Sequence, residues 1–263
     1  MRFLPQSRTG HASATFGALA ALLSTAGCVG GGAPSDPYDL GAATPDITSS
    51  AGAGSLEGPP PDAGGRESHF PLVDGTSWTY HHTNLVDPPW DETDGVVAGT
   101  YKGEDAFILS DEEDGQGERT HSTHVINGTG VYRAYKEVAV HDQVAVTTTY
   151  DPAFLRYDEA WTTVGDTVTL DDDWTQRCVV ASSASNCAPG AIKPGTTKHK
   201  YTVLAVAEKL TVPAGTFSSV KIQRDNLSSP ETKLFWFAAG VGKLREENPS
   251  TGSVEELSAY EIP

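Results

Sequence analysis

From about Phe70 onward the chain is a succession of short runs in which apolar and polar side chains alternate, separated by residues that favour turns. The clearest runs are Trp78 to His82, Glu104 to Leu109, Gly130 to Tyr135, Val144 to Tyr150, Lys200 to Val206, Val220 to Arg224 and Lys233 to Phe237. In the fourth, Val144, Val146, Thr148 and Tyr150 recur at the period of two that places side chains on one face of a half-buried strand. No window carries the 3.6-residue period of an amphipathic helix. Asp74-Gly75, Asp94-Gly95, Asp114-Gly115, Asn127-Gly128 and Pro213-Ala-Gly215 supply the turn chemistry of hairpins between antiparallel strands. The pattern predicts one all-β domain over residues 69–263, an antiparallel sandwich, curved sheet or barrel. That length suits a single β domain with a substantial core.

The first 68 residues follow a different rule. Arg2 and Arg8, with no acidic residue nearby, precede the apolar and small run Ala14 to Leu23, which ends in Ser24-Thr-Ala-Gly-Cys28. This is the charged, apolar and small-residue order of a secretory signal. The run falls short of the ~20 apolar residues that a spanning helix needs. Residues 1–27 are therefore expected to leave as a signal peptide. Residues 28–68 read as a flexible tether: about a third are glycine or proline, and large apolar side chains are few. As a flexible chain it would reach roughly 35 Å.

Thr25-Ala26-Gly27-Cys28 resembles the lipobox of bacterial lipoproteins, with Thr25 where leucine is commonest. The resemblance implies cleavage before Cys28, a thioether-linked diacylglycerol on its sulfur and an amide-linked acyl chain such as palmitate on its nitrogen. Two or more such chains anchor a protein stably, whereas one holds it marginally. The alternative is an ordinary secretory signal followed by an incidental thiol. Val29 stands where aspartate would direct inner-membrane retention, which points to the outer membrane. With Cys28 assigned to lipid, the two remaining cysteines, Cys178 and Cys187, are expected to form a disulfide in an oxidising compartment. The small polar segment between them has no histidine or carboxylate to complete a metal site, and the spacing is not that of a redox Cys-x-x-Cys pair.

Several islands carry a second resemblance. Phe70-Pro-Leu72, Gly75-Thr-Ser-Trp78-Thr-Tyr80, Val212-Pro-Ala-Gly-Thr-Phe217 and Trp236-Phe-Ala-Ala-Gly-Val-Gly242 are similar to the marks of a widespread group of bacterial lipoproteins without an established activity. That group opens on a Phe-Pro-Leu-x-x-Gly-x-x-Trp-x-Tyr strand and closes on an Ala-Pro-Gly-Val-Gly turn, where this chain has Ala239 in place of the proline. The resemblance implies a barrel-like or curved-sheet domain on a lipid anchor and supplies no catalytic residue. The glycines and proline read as turn formers and the aromatics as core.

Chemical signatures are sparse. There is no Gly-x-Ser-x-Gly elbow, no His-Glu-x-x-His and no Gly-x-Gly-x-x-Gly. Gly240-Val-Gly-Lys243 lacks the serine or threonine of a phosphate loop, since Leu244 follows the lysine. Three acidic clusters, Asp111 to Asp114, Asp171 to Asp173, and Asp87 with Asp91, Glu92 and Asp94, lack EF-hand spacing and read as solvated turns. His121 and His124 would face opposite sides of a strand, while His81, His82, His141 and His199 could meet only through tertiary structure. Trp90, Trp161 and Trp174 stand among polar residues, either as platforms for a sugar or protein partner or as caps on a barrel core. The formal charge of −17 becomes about −19 once Arg2 and Arg8 leave with the signal. Such a chain is repelled by nucleic acid and by anionic headgroups, so its membrane attachment would rest on lipid.

These readings combine into a lipid-anchored protein of the cell envelope, facing the periplasm or the cell surface. It is expected to act as a binding or envelope-structural module rather than an enzyme, without a cofactor or metal. Envelope proteins and glycans are its candidate partners. Two alternatives stand beside it: a periplasmic carrier of an apolar ligand, marked by a continuous apolar concavity, and an envelope hydrolase, marked by a cleft with convergent acids.

Overall fold

A computed structural model describes residues 61–86, 88–113, 117–180 and 187–263. Twelve strands follow in chain order: β1 (Ser77–Thr83), β2 (Trp90–Tyr101), β3 (Glu104–Asp111), β4 (Glu118–Asn127), β5 (Gly130–Val140), β6 (Gln143–Asp158), β7 (Thr167–Cys178), β8 (Ile192–Val212), β9 (Gly215–Asn226), β10 (Thr232–Ala238), β11 (Gly242–Asn248) and β12 (Ser253–Glu261). Each pairs antiparallel with its sequence neighbours, and β1 pairs with β12, so the meander closes into a barrel. Closure removes the free edges that an open sheet would expose. The all-β class is thus realised as a barrel, with no helix among the described residues.

Up-and-down connectivity sends alternate connections to opposite ends. The β4–β5, β8–β9 and β10–β11 turns lie at one end, together with the start of β1 and the end of β12. The β1–β2, β5–β6, β7–β8 and β11–β12 connections lie at the other. The first end is plugged. Phe70 and Leu72, carried in by the segment before β1, are almost fully buried with Trp78, Leu155, Tyr157, Trp161, Phe237 and Leu244.

The plug is pinned by polar contacts. Buried Glu159 accepts hydrogen bonds from Ser68 Oγ at 2.6 Å and His69 N at 2.8 Å, and its other oxygen lies 2.7 Å from His69 Nδ1. Gly240 N donates to the Ser68 carbonyl at 2.9 Å, and Trp78 Nε1 donates to the Val241 carbonyl at 2.6 Å. The Phe-Pro-Leu and Gly-Val-Gly islands, far apart in sequence, therefore meet at the plug. Gly242 has φ of 108°, and a Cβ there would stand 2.9 Å from Trp78 Nε1, so both the backbone and the tryptophan require glycine. Gly64 and Ser68 belong to the plug as well, so the packed domain extends upstream of residue 69.

Register corrects two details of the sequence pattern. Asp94-Gly95, expected to turn, lies inside β2, where Asp94 pairs with both Trp78 and Asp111. Val144 is separated from Val146 and Tyr150 by a bulge at Ala145, so the alternation of β6 is interrupted there. Asn127-Gly128 and Pro213-Ala-Gly215 do form turns. The disulfide between Cys178 and Cys187 is formed, closing the β7–β8 connection at the unplugged end.

Candidate functional site: a charged chamber within the barrel

Inward positions near the plug are apolar, but toward the unplugged end they become polar. The period of two carries Trp78, Tyr80 and His82 inward along β1, and the adjoining inward positions of β2 are Asp94, Glu92 and Trp90. Asp111 on β3 faces Asp94, and Ser122 on β4 faces Lys136 on β5. These residues line a chamber of about 210 Å³ whose floor is Phe70, Trp78 and Leu109. Its rim holds Trp90, 41% exposed and stacked on His82 with ring centroids 4.8 Å apart.

Charge inside the chamber is sorted by wall. On one side Lys243 Nζ lies 2.5 Å from Glu255 and 3.4 Å from Glu246, while Lys233 Nζ lies 2.6 Å from the other Glu246 oxygen. Burial alone would lower the Lys243 pKa, but Glu255 and Glu246 outweigh it and raise it to about 12. Burial alone would also raise Glu246, yet Lys243 and Lys233 hold it well below the carboxylate range. This group is internally balanced.

The second wall is acidic. Burial, reinforced by Asp111 and Glu255, pushes Asp94 up to about 7, despite the opposing charge of Lys243. Burial with Asp94 and Asp111 nearby also raises Glu92 to about 7. Asp111 is raised by burial, against the hydrogen bond it accepts from Thr120 N. His82 Nε2 stands 3.3 Å from Glu92 without a hydrogen bond, and burial lowers its pKa, so the imidazole is predominantly neutral near pH 7.

The third wall carries Arg133, Lys136 and Arg156. Among the described residues none of the three has an ion-pair partner within 4.0 Å, and the buried Nε atoms of Arg133 and Arg156 have no acceptor. Burial and the neighbouring Arg133 charge lower Lys136 to about 8 and Arg156 to about 10.

The other residues singled out from sequence are dispersed. His81 pairs with Asp91 at 2.7 Å and His121 with Ser110 at 2.6 Å, both away from the chamber. His124 is fully buried against Phe70, and burial with Arg133 and Arg156 nearby holds it far below its usual pKa. His199 pairs with Asp172 in a separate buried contact, and His141 lies in the β5–β6 turn with φ of 48°. Asp171 and Asp173 face outward, whereas Asp172 faces inward. Trp161 belongs to the plug, and half-buried Trp174 donates to Thr197 Oγ1 at 3.1 Å. Cys28, Asp87 and Asp114 lie outside the described residues. Among the described residues no group of three His, Cys, Asp or Glu is placed to hold a metal ion.

Among the chamber residues the sequence pointed to His82, Glu92, Asp94 and Asp111, but the three acids, expected in solvated turns, lie on strands and face the lumen, while Arg133, Lys136 and Arg156 were missed. The available signal was the recurrence of charge in the inward phase of apolar strands, as Arg133 follows Val131 and Glu255 precedes Leu257 by two. Ser68, His69 and Glu159 have the residue types of a hydrolytic triad, but serine and histidine both bind the carboxylate in the buried plug. Ser68 Oγ also accepts from Gly64 N and Phe70 N, so it is a structural pin.

The fold and site define a closed up-and-down barrel with a plugged base and a charged lumen. No family model, curated protein or solved structure matches the chain.

Proposed function

We propose that this protein is a lipid-anchored binding module of the cell envelope, belonging with the lipoproteins it resembles, whose barrel lumen receives a small polar ligand. The observation that carries the reading is the chamber itself: a plugged base, an aromatic rim and walls rich in polar groups. Ligand sites commonly occupy the mouths of barrels, where a few convergent polar groups fix orientation. The charged walls disfavour the carriage of an apolar ligand.

Anchoring through lipid on Cys28 accords with the outer face of the barrel. Asp171, Asp173, Lys198 and Lys209 are exposed on their strands, and at a bilayer midplane a lysine facing lipid would cost about 2 to 4 kcal/mol and an aspartate less.

A hydrolase is the second reading, favoured by the convergence of Glu92 and Asp94 with acidities near neutral, which suits general acid–base work. It predicts that Glu92→Gln or Asp94→Asn abolishes a hydrolytic activity found by screening sugar and phosphate esters. An unchanged activity in both variants would exclude it.

The binding reading is tested by expressing the full chain with its leader, labelling with palmitate and extracting it in mild detergent for native mass spectrometry. Label and lipid mass lost in Cys28→Ala, with one small polar adduct on the wild type, are expected. A chain without lipid overturns the anchor. A lipidated chain whose barrel is bare, including after exposure to an envelope extract, overturns the binding role.

A further inference from the structure

The chain carries 35 Asp and Glu against 18 Lys and Arg, so carboxylates are abundant as partners for its cations. Nevertheless Arg133, Lys136 and Arg156 converge on one wall of the chamber without an ion pair or side-chain hydrogen bond among the described residues. Five other cations do have carboxylate partners: Arg119 with Glu113 and Asp142, Lys198 with Asp171, Lys233 with Glu246, Lys243 with Glu246 and Glu255, and Arg245 with Glu247 and Glu256. The three are half-buried; Arg156 lies over the Phe154 ring at 5.9 Å, and Asp111, Glu118 and Glu246 attract the cluster from beyond contact distance, yet like charges this close remain costly without a directly bonded counter-ion. Unsatisfied polar groups of this kind call for an explanation, and a ligand that completes them supplies one.

We infer that this wall is an oxyanion site, in which Arg133, Lys136 and Arg156 bind the phosphate or carboxylate group of a small polar molecule entering past Trp90 and His82. The inference rests on the reading of the chamber as a binding site and names the class of ligand. Two guanidinium forks and an ammonium suit the several acceptor oxygens of a phosphate or carboxylate. The chamber volume of about 210 Å³ lies below the ~300 to 1,000 Å³ typical of pockets for drug-sized ligands. It therefore favours a compact metabolite over a drug-sized ligand. The acidic wall of β2 and β3, one strand away from β5, carries Glu92 and Asp94 partly protonated near neutral pH, so it presents hydrogen-bonding groups to the rest of that molecule and repels its anion less.

Calorimetric titration of the full chain in mild detergent tests the assignment, with inorganic phosphate, succinate and neutral glucose as separate probes and chloride as the background anion. Saturable one-to-one binding of phosphate or succinate is expected, weakened by about tenfold or more in Arg133→Gln and Arg156→Gln, since a charged hydrogen bond contributes about 1.5 to 3 kcal/mol. Arg119→Gln, on the outer face, should bind as the wild type does. Whichever probe binds distinguishes a phosphate from a carboxylate site. Without ligand, Arg156→Gln should melt at or above the wild-type temperature, because an unpaired charge has been removed.

Binding of both anions that is unchanged in the arginine variants overturns the inference. So does a fall in melting temperature in both variants that accounts for their loss of binding, which makes the cations structural. Glucose binding with no anion binding overturns the oxyanion assignment and leaves the chamber as a binding site. Failure of all three probes, with a bare mass after exposure to an envelope extract, removes both readings.

Discussion

Replacing Asp94 by asparagine should stabilise the protein more at pH 8 than at pH 5. Its carboxyl is raised from an ordinary value of 3.8 to about 7 by burial, with Glu255 and Asp111 adding repulsion and Lys243 opposing it. Because the folded state holds this proton more tightly than the unfolded state, stability falls as pH rises between roughly 4 and 7 and levels off above that range. From those two values the cost grows from about 1.7 kcal/mol at pH 5 to about 4 kcal/mol at pH 8. Asp94 keeps partial contact with the lumen, so screening makes these upper figures. The difference between the two pH values is about 2 to 3 kcal/mol.

Urea unfolding of the wild type and Asp94→Asn at both pH values measures this quantity together with the relief of Glu92, which Asp94 helps to raise. Groups that titrate alike in both proteins cancel, including His82 and His124, whose lowered pKa values act in the opposite direction. A gain in the variant at pH 8 exceeding that at pH 5 by at least 1 kcal/mol or so is the expected outcome. An equal effect at both values would refute the reasoning, because it would mean that Asp94 ionises in the folded chain as it does in water.

Three other perturbations test the frame around the chamber. Glu159→Ala removes the acceptor for Ser68 Oγ and His69 N and should cost about 3 kcal/mol, with hydrogen-exchange protection lost at His69, Phe70 and Leu72 before the β8–β9 ladder. Trp161→Ala opens the plug beside Tyr157 and Tyr201 and should cost about 3 to 5 kcal/mol in chemical unfolding. Replacing Cys178 and Cys187 together by serine frees a loop of about ten residues and should cost roughly 2.5 to 3 kcal/mol. Equal stabilities of oxidised and doubly substituted protein would show that the staple contributes nothing.

Strands with an apolar inner face were legible from sequence, and those with a polar inner face were not. β1, β5 and β10 offer Trp78, Tyr80, Val131, Phe235 and Phe237 at regular intervals, so their alternation stands out. By contrast β2 turns Asp94 and Glu92 inward, β4 turns Ser122 and His124 inward, and β7 turns Asp172 inward. A periodicity argument assumes that the buried face is apolar, and a barrel with a polar chamber violates it on these strands. Asp94-Gly95 has the composition of a turn for the same reason: the aspartate is there to face the lumen.

The candidate site was hidden more deeply than the fold. Arg133, Lys136, Arg156, Glu92 and Asp94 come from β2, β5 and β6, and only barrel closure brings them together. Once the inner phase of each strand is known, charged residues recurring in that phase mark a lumen site without a motif. The tryptophans divide by the same criterion: Trp161 caps the core, while Trp90 lies on the rim.

Occupation of the chamber is tested most directly by native mass spectrometry of the full chain beside Thr120→Trp, in which an indole fills space at the chamber wall. After identical exposure to an envelope extract, the wild type should carry a small polar adduct that the variant lacks, while both melt cooperatively. A bare wild-type barrel, or an adduct retained by the filled variant, would contradict a ligand in the lumen.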